Sequence, residues 1–130
     1  MAGELQLALA YELTPANAPR FAADIVAQAA SQGIALDYSS PSTLEWLDSV
    51  TASLRVGGVT VEQVPEVLFG FGCVLGECLI ALGGGTWIAT AFDVPIGVRL
   101  RNVTLDPVGF AFTSLLPGRS YTAYVATTLS

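Results

Sequence analysis

The sequence predicts an α+β fold: about three N-terminal helices packed on a small antiparallel β-hairpin sheet, then one or two short helices. Three observations predict it. Apolar residues recur at helical spacing through the first part of the chain, in blocks that glycines separate. After Gly83-Gly84-Gly85 the chain turns aromatic and β-branched, the composition of strands. Helices and strands that are segregated along the chain, rather than alternating, belong to the α+β class.

The first helix is expected over Thr14 to Ser31, with Thr14-Pro15 as cap and first turn. Pro19 would disturb a regular first turn, so the regular helix is expected from about Ala18. Phe21, Ile25 and Ala29 share one face, and Gly33 stops the helix. Ile34 to Tyr38 reads as a short extended piece able to join the sheet. Ser42-x-x-Glu45 is a capping box for a second helix, which Gly57-Gly58 ends. The third helix, about Val64 to Leu82, starts from a Thr60-x-x-Gln63 box or from Pro65. Its middle is apolar on every side, as in a central buried helix. Gly72 and Gly76 within it would let another element approach the backbone.

Two strands follow, Thr86 to Phe92 and a run through Val98, Leu100, Val103 and Leu105, joined by a hairpin over Asp93 to Gly97. Asp106-Pro107 caps a short helix that Pro117-Gly118 closes. In the tail, Tyr121, Tyr124, Val125 and Leu129 fit a helical face, whereas the Thr, Tyr and Val content favours a strand; helix is the choice made.

Composition narrows the function. The chain has 130 residues, suited to one domain over 1–130, and is 52% hydrophobic and only 12% charged. Its net charge is −6, so no basic surface for nucleic acid is expected. It has no His and no Lys, which removes His-based triads, His metal ligation, Schiff bases and the P-loop lysine. Met1 to Ala10 carries Glu4 and no basic run, unlike a signal peptide. Val67 to Phe92 is about long enough to cross a bilayer. The central Glu77, the glycine triplet and the lack of flanking cations argue against a span, so no membrane is expected. Cys73 and Cys78 lie about 140° apart on a helix. They are expected to be buried, reduced thiols, which points to the cytoplasm.

The stretch Leu36-Asp37-Tyr38-Ser39, then Leu44-x-x-Leu47-Asp48, Gly72-x-x-x-Gly76-Glu77, Gly84-Gly85-x-Trp87 and Asp106-Pro107 runs over roughly residues 34 to 117. It resembles small uncharacterised bacterial domains of the DUF3806 kind, in which a helix with a Gly-Glu step precedes a Gly-Gly-x-Trp strand. That resemblance implies the order of elements and no activity.

Five side chains are candidates for ligand or partner binding. Glu77 sits in an apolar helix and needs a partner: the Trp87 indole, a strand backbone, or an Arg, of which Arg99 and Arg101 are the nearest choices. Trp87 and Tyr38 would wall a pocket around it. Asp37, with Asp48, brackets a Ser-rich turn; a shared metal or acid–base role competes with turn stabilisation, and no metal-binding spacing is present. Trp46 lies off the apolar stripe of its helix and could cover a helix seam or anchor a partner. No catalytic residue, metal or cofactor is expected. The leading expectation is a non-catalytic protein that binds a protein partner or forms a homodimer. The alternatives are an acidic immunity- or antitoxin-like inhibitor of a basic partner, and a small-molecule binder or enzyme centred on Glu77.

Overall fold

The computed structural model describes residues 7–130. Glu4, on which the reading of the N-terminus partly turns, lies outside the described residues. Over the described residues the architecture is α+β, with five α-helices, two 3-10 turns and one antiparallel three-stranded sheet. In chain order the helices and strands are α1 (Ala18–Ser31), α2 (Pro41–Val56), α3 (Pro65–Gly83), β1 (Thr86–Ala89), β2 (Ile96–Leu100), β3 (Val103–Leu105), α4 (Pro107–Thr113) and α5 (Tyr121–Leu129).

Proline sets four of the five helix starts, because it fits the first turn, where its missing N–H is not needed. Thr14 caps a separate 3-10 turn, Pro15–Asn17, and the regular helix begins at Ala18 as expected. At α2 the expected Ser42 box is replaced by Ser40, whose hydroxyl accepts from Ser42 N. Pro41 occupies the first helical position there, so the cap must precede it. The Thr60–Gln63 box forms, with Thr60 N donating to Gln63 Oε1 at 2.8 Å, but it closes a 3-10 turn, Val61–Gln63, while Pro65 opens α3. The tail is a helix, capped by Ser120.

The sheet departs from a hairpin in three respects. The run expected as one strand folds back at Arg101-Asn102, so that Leu100 pairs with Val103 and Val98 with Leu105. The apolar spacing breaks from two to three between Leu100 and Val103, which is the sequence trace of this turn. Arg101 takes a left-handed φ of 58° to make it. The first strand ends at Ala89 rather than Phe92, because Thr90 N bonds Pro95 O and turns the chain early. Ile34 to Tyr38 stays outside the sheet, and Asp37 there is tied by backbone N and O to Thr43 Oγ1 at 2.9 and 2.7 Å.

Helix α3 is the centre. Val74, Leu75, Cys78 and Leu79 on it are fully buried. It contacts α1, α4, α5 and the inner face of β2. It is long and apolar enough to span a membrane by length and composition, and here protein covers most of it. Three glycines admit its neighbours. A Cβ on Gly70 would stand 2.7 Å from the Ile25 side chain of α1, and one on Gly72 would stand 2.6 Å from Val108 Cα of α4. A Cβ on Gly76 would collide with the Trp87 ring. The chain leaves α3 through Gly84, at φ 79°.

Gly76→Ala is expected to cost about 2–3 kcal/mol through overpacking. Gly33→Ala, at positive φ but in open space, is expected to cost only about 1–2 kcal/mol. Urea denaturation of both variants checks this; equal losses would show that close approach does not select Gly76.

Candidate functional site

The Gly76-Glu77 step and Trp87 form one device. Trp87 lies on the inner face of β1, opposite buried Val98. Its ring lies against the Gly76 backbone, where no Cβ intervenes. The indole Nε1 then meets the carboxylate of the next residue and donates to Glu77 Oε2 at 2.6 Å. A hydrogen bond to a charged acceptor at that length is of the strong kind. Glu77 is half-buried, so water reaches part of it. Gly85, two residues before Trp87, has Arg99 O where a Cβ would be, 2.6 Å away. The Gly-Glu helix and the Gly-Gly-x-Trp strand are thus two halves of one contact.

Arg99 and Arg101 are not the partners of Glu77. Strand alternation turns Val98 inward and Arg99 outward, and Arg101 sits in the β2–β3 turn. Tyr38, in the segment before α2, is packed against the core. Its phenol is pushed up to about 12 by burial first, then by the charge of Glu77 and by Cys78 and Cys73. Both cysteines are free and buried, as expected. Burial, then the charge of Glu77, raises both thiols, Cys78 to about 12. Both thiols are therefore protonated at neutral pH, and no cluster of three His, Cys, Asp or Glu able to hold a metal occurs among the described residues.

Asp37 belongs to the turn. Its Oδ1 accepts from Ser39 N at 2.9 Å and Ser39 Oγ at 2.8 Å, and these bonds hold its carboxyl below the usual carboxylate range. Trp46 is half-buried and stands edge-on to Phe71 of α3, 5.7 Å between centroids, so it covers a helix seam. The structure therefore joins Glu77 to Trp87, lets the Glu77 charge act on the Tyr38 phenol with no hydrogen bond between them among the described residues, leaves Asp37 in its turn, and puts Trp46 over a helix seam.

Two features escaped the sequence. Asp48 of α2 caps α5 across 72 residues, accepting from Ser120 Oγ at 2.9 Å and from the N–H groups of Tyr121 and Thr122. Its separation from α5 hides this; the only local signal is Ser120 before the helix. The second is the outer face of the sheet, away from α3. Ile88 pairs with Gly97, and the Thr90 methyl and Phe92 ring lie over Gly97, at 2.9 and 3.0 Å from where its Cβ would be. Ile88 and Phe92 are half-buried but stand apart from the main core. Thr86, Arg99 and Thr104 share one row on this face, and all three are exposed. The alternation Ile88, Thr90, Phe92 was its signal. A separate shallow depression of about 320 Å³ lies between α4 and α5, lined by Phe110, Arg119 and Tyr124 among others.

Glu77→Gln, Trp87→Phe and the double variant are expected to show a coupling of about 1.5–3 kcal/mol in a double-mutant cycle of unfolding free energies. A coupling near zero would mean that the 2.6 Å contact contributes nothing to stability. The raised thiols and Tyr38 phenol make a second expectation. Folding favours their neutral forms, so their contribution is complete below about pH 8.5, the pKa of an unfolded thiol. It falls as pH rises through the folded values, which reach about 12 for Cys78 and Tyr38. Denaturation midpoints should therefore drop above about pH 9, and native protein at pH 8 should resist thiol reagents that label it fully in urea.

No family model, curated protein or solved structure matches this chain.

Proposed function

We propose that this protein acts without catalysis, by binding a protein surface, its own or another's. One observation carries the reading: α3 and α4 contact β2, while among the described residues Ile88 and Phe92, beside exposed Arg99 on the opposite face of the sheet, stand outside the main core. A half-exposed apolar pair ringed by hydroxyls and a cation is the composition of a small contact surface, with an apolar centre and a polar rim. Two further facts support it. The chain has neither His nor Lys to act as a general base or amine nucleophile. The carboxylate best placed for chemistry, Glu77, is already engaged by Trp87.

The same proposal places the protein in the cytoplasm, where buried thiols stay reduced, without a nucleic-acid or membrane partner. Kinship with domains of the DUF3806 kind belongs to it as well; it rests on the order of motifs and brings no activity.

Native mass spectrometry of gently purified protein over a concentration series tests the proposal. A dimer or a stoichiometric complex with another protein is the expected result. A monomer at every concentration, carrying a reproducible small-molecule mass that Glu77→Gln loses, would overturn it in favour of a ligand site at Glu77. A complex held only at low salt by a basic partner would specify the acidic-inhibitor form of the same reading.

A further inference from the structure

Residues 7–13 cross the protein as a strap. They form neither helix nor strand, yet burial alternates along them: Leu7, Leu9, Tyr11 and Leu13 are half-buried, and Ala8, Ala10 and Glu12 are exposed. All four half-buried side chains pack against the core. The strap passes the start of α3, where Ala8 N donates to Glu66 Oε2 at 3.0 Å. It then reaches α1, where the Tyr11 ring meets Phe21 edge-on at 5.1 Å between centroids. Phe21 in turn meets Phe69 of α3 at 4.8 Å. The strap therefore lies along the seam of α1 and α3 and covers Phe21.

Side chains, rather than backbone, hold it there. Among the described residues, no backbone–backbone hydrogen bond involves residues 7–13. The other polar ties are exposed: the Tyr11 hydroxyl donates to Asp24 Oδ1 at 3.1 Å, and Asn17 Nδ2 donates to Glu12 O at 2.9 Å. The Arg20 guanidinium lies 4.0 Å over the Tyr11 ring. Burying half-covered side chains gains little more than ordering the chain that carries them costs. A segment held in this way opens at far lower free energy than the core. Once lifted, it leaves an apolar seam that matches a chain with apolar groups at every second position.

We infer that the α1–α3 seam is a docking groove for an extended segment of a protein partner with apolar side chains at alternate positions, and that residues 7–13 are its resident competitor. The inference rests on the proposed binding function and adds a surface to it. The strap itself shows what the groove accepts, since every contact that it makes is open to the same sequence supplied from outside. Glu66 contributes to the match: when the strap lifts, its carboxylate loses the Ala8 N–H, and a backbone N–H of the incoming segment replaces it. Competition sets the strength. The partner's apparent affinity is reduced by the fraction of protein whose strap is closed, so whatever loosens the strap tightens the partner.

A capped peptide of the strap's own sequence, residues 7–13, is the probe, titrated into the full chain with methyl NMR as the readout. In wild type, the Leu7, Leu9 and Leu13 methyl signals of the protein are expected to move toward unfolded-chain positions as the peptide binds. Leu9→Asp, which weakens the strap and leaves the seam intact, should bind the peptide about tenfold more tightly. A peptide with serine in place of its three leucines should bind neither protein. The wild-type titration needs no substitution, so it decides the matter even where Leu9→Asp fails to fold.

No binding to wild type or to folded Leu9→Asp overturns the groove. Binding that leaves the wild-type strap signals in place, or that is no tighter in folded Leu9→Asp, overturns the competition and places the peptide elsewhere. Peptide binding with strap release supports the groove whatever native mass spectrometry finds; the absence of any attached protein there counts against the broader binding function alone.

Discussion

Helix α3 offers the rest of the chain almost nothing polar to hold, so the fold must cover it on all sides at once. The glycines make that possible. Gly70 brings α1 against the helix backbone, Gly72 does the same for α4, and Gly76 for the β1 tryptophan. Each close approach exchanges a Cβ for a larger buried contact made by the neighbour, at the cost of helix propensity, about 1 kcal/mol per glycine relative to alanine. A helix of leucines alone would have held its neighbours at ordinary side-chain distance. Glu77 is the exception in this apolar surface. It stays because Trp87 brings a donor with it, so that packing and hydrogen bonding at this point depend on the same side chain.

The C-terminal helices are held by polar contacts from far along the chain. α4 and α5 are short, with seven and nine residues, and helices of that length are unstable alone. α2 supplies what they lack at both junctions. Asp48 takes the free N–H groups at the start of α5, and Arg55 donates to Ser114 O and Leu115 O just past α4, at 2.6 and 3.0 Å. A carboxylate at a helix N-terminus and a cation at a C-terminal end both match the helix dipole. Tyr121 then packs its ring into the core and hands its hydroxyl to Ser114 Oγ at 3.1 Å. Burial and the nearby Asp48 charge raise its phenol far above the ordinary range, so the ring stays neutral there.

What could be read in the sequence was local. Proline before an apolar run, serine before proline and glycine after a run each act within a few residues, so the helices were legible almost to their ends. The Asp106 cap, whose Oδ1 accepts from Gly109 N at 2.8 Å, was legible for the same reason. The β2–β3 turn was less so, because its residues Arg101 and Asn102 include no glycine and only a break in alternation marks it. Long-range pairings were not legible at all. Nothing near Asp48 points to α5, and nothing near Arg55 points to α4. Glu77 needed a partner on any reading, and the indole was one of those named. The alternation of Arg99 with apolar neighbours was visible in the sequence as the mark of a solvated strand face; the strand pairing shows that this face is the one away from Glu77, which excludes the guanidinium.

The apolar content of the chain, taken alone, suggested surplus hydrophobic surface. The fold uses most of it in covering α3, and the large apolar side chains left exposed, such as Val56 and Leu116, are few. The outer sheet face is the place where the chain composed a surface deliberately short of apolar area. Thr86 and Thr104, both exposed, keep the β-branched shape that strands favour while offering hydroxyls to solvent. Arg99 between them discourages indiscriminate sheet stacking. A face built this way cannot hold a partner by area, since its apolar centre amounts to little more than Ile88 and Phe92.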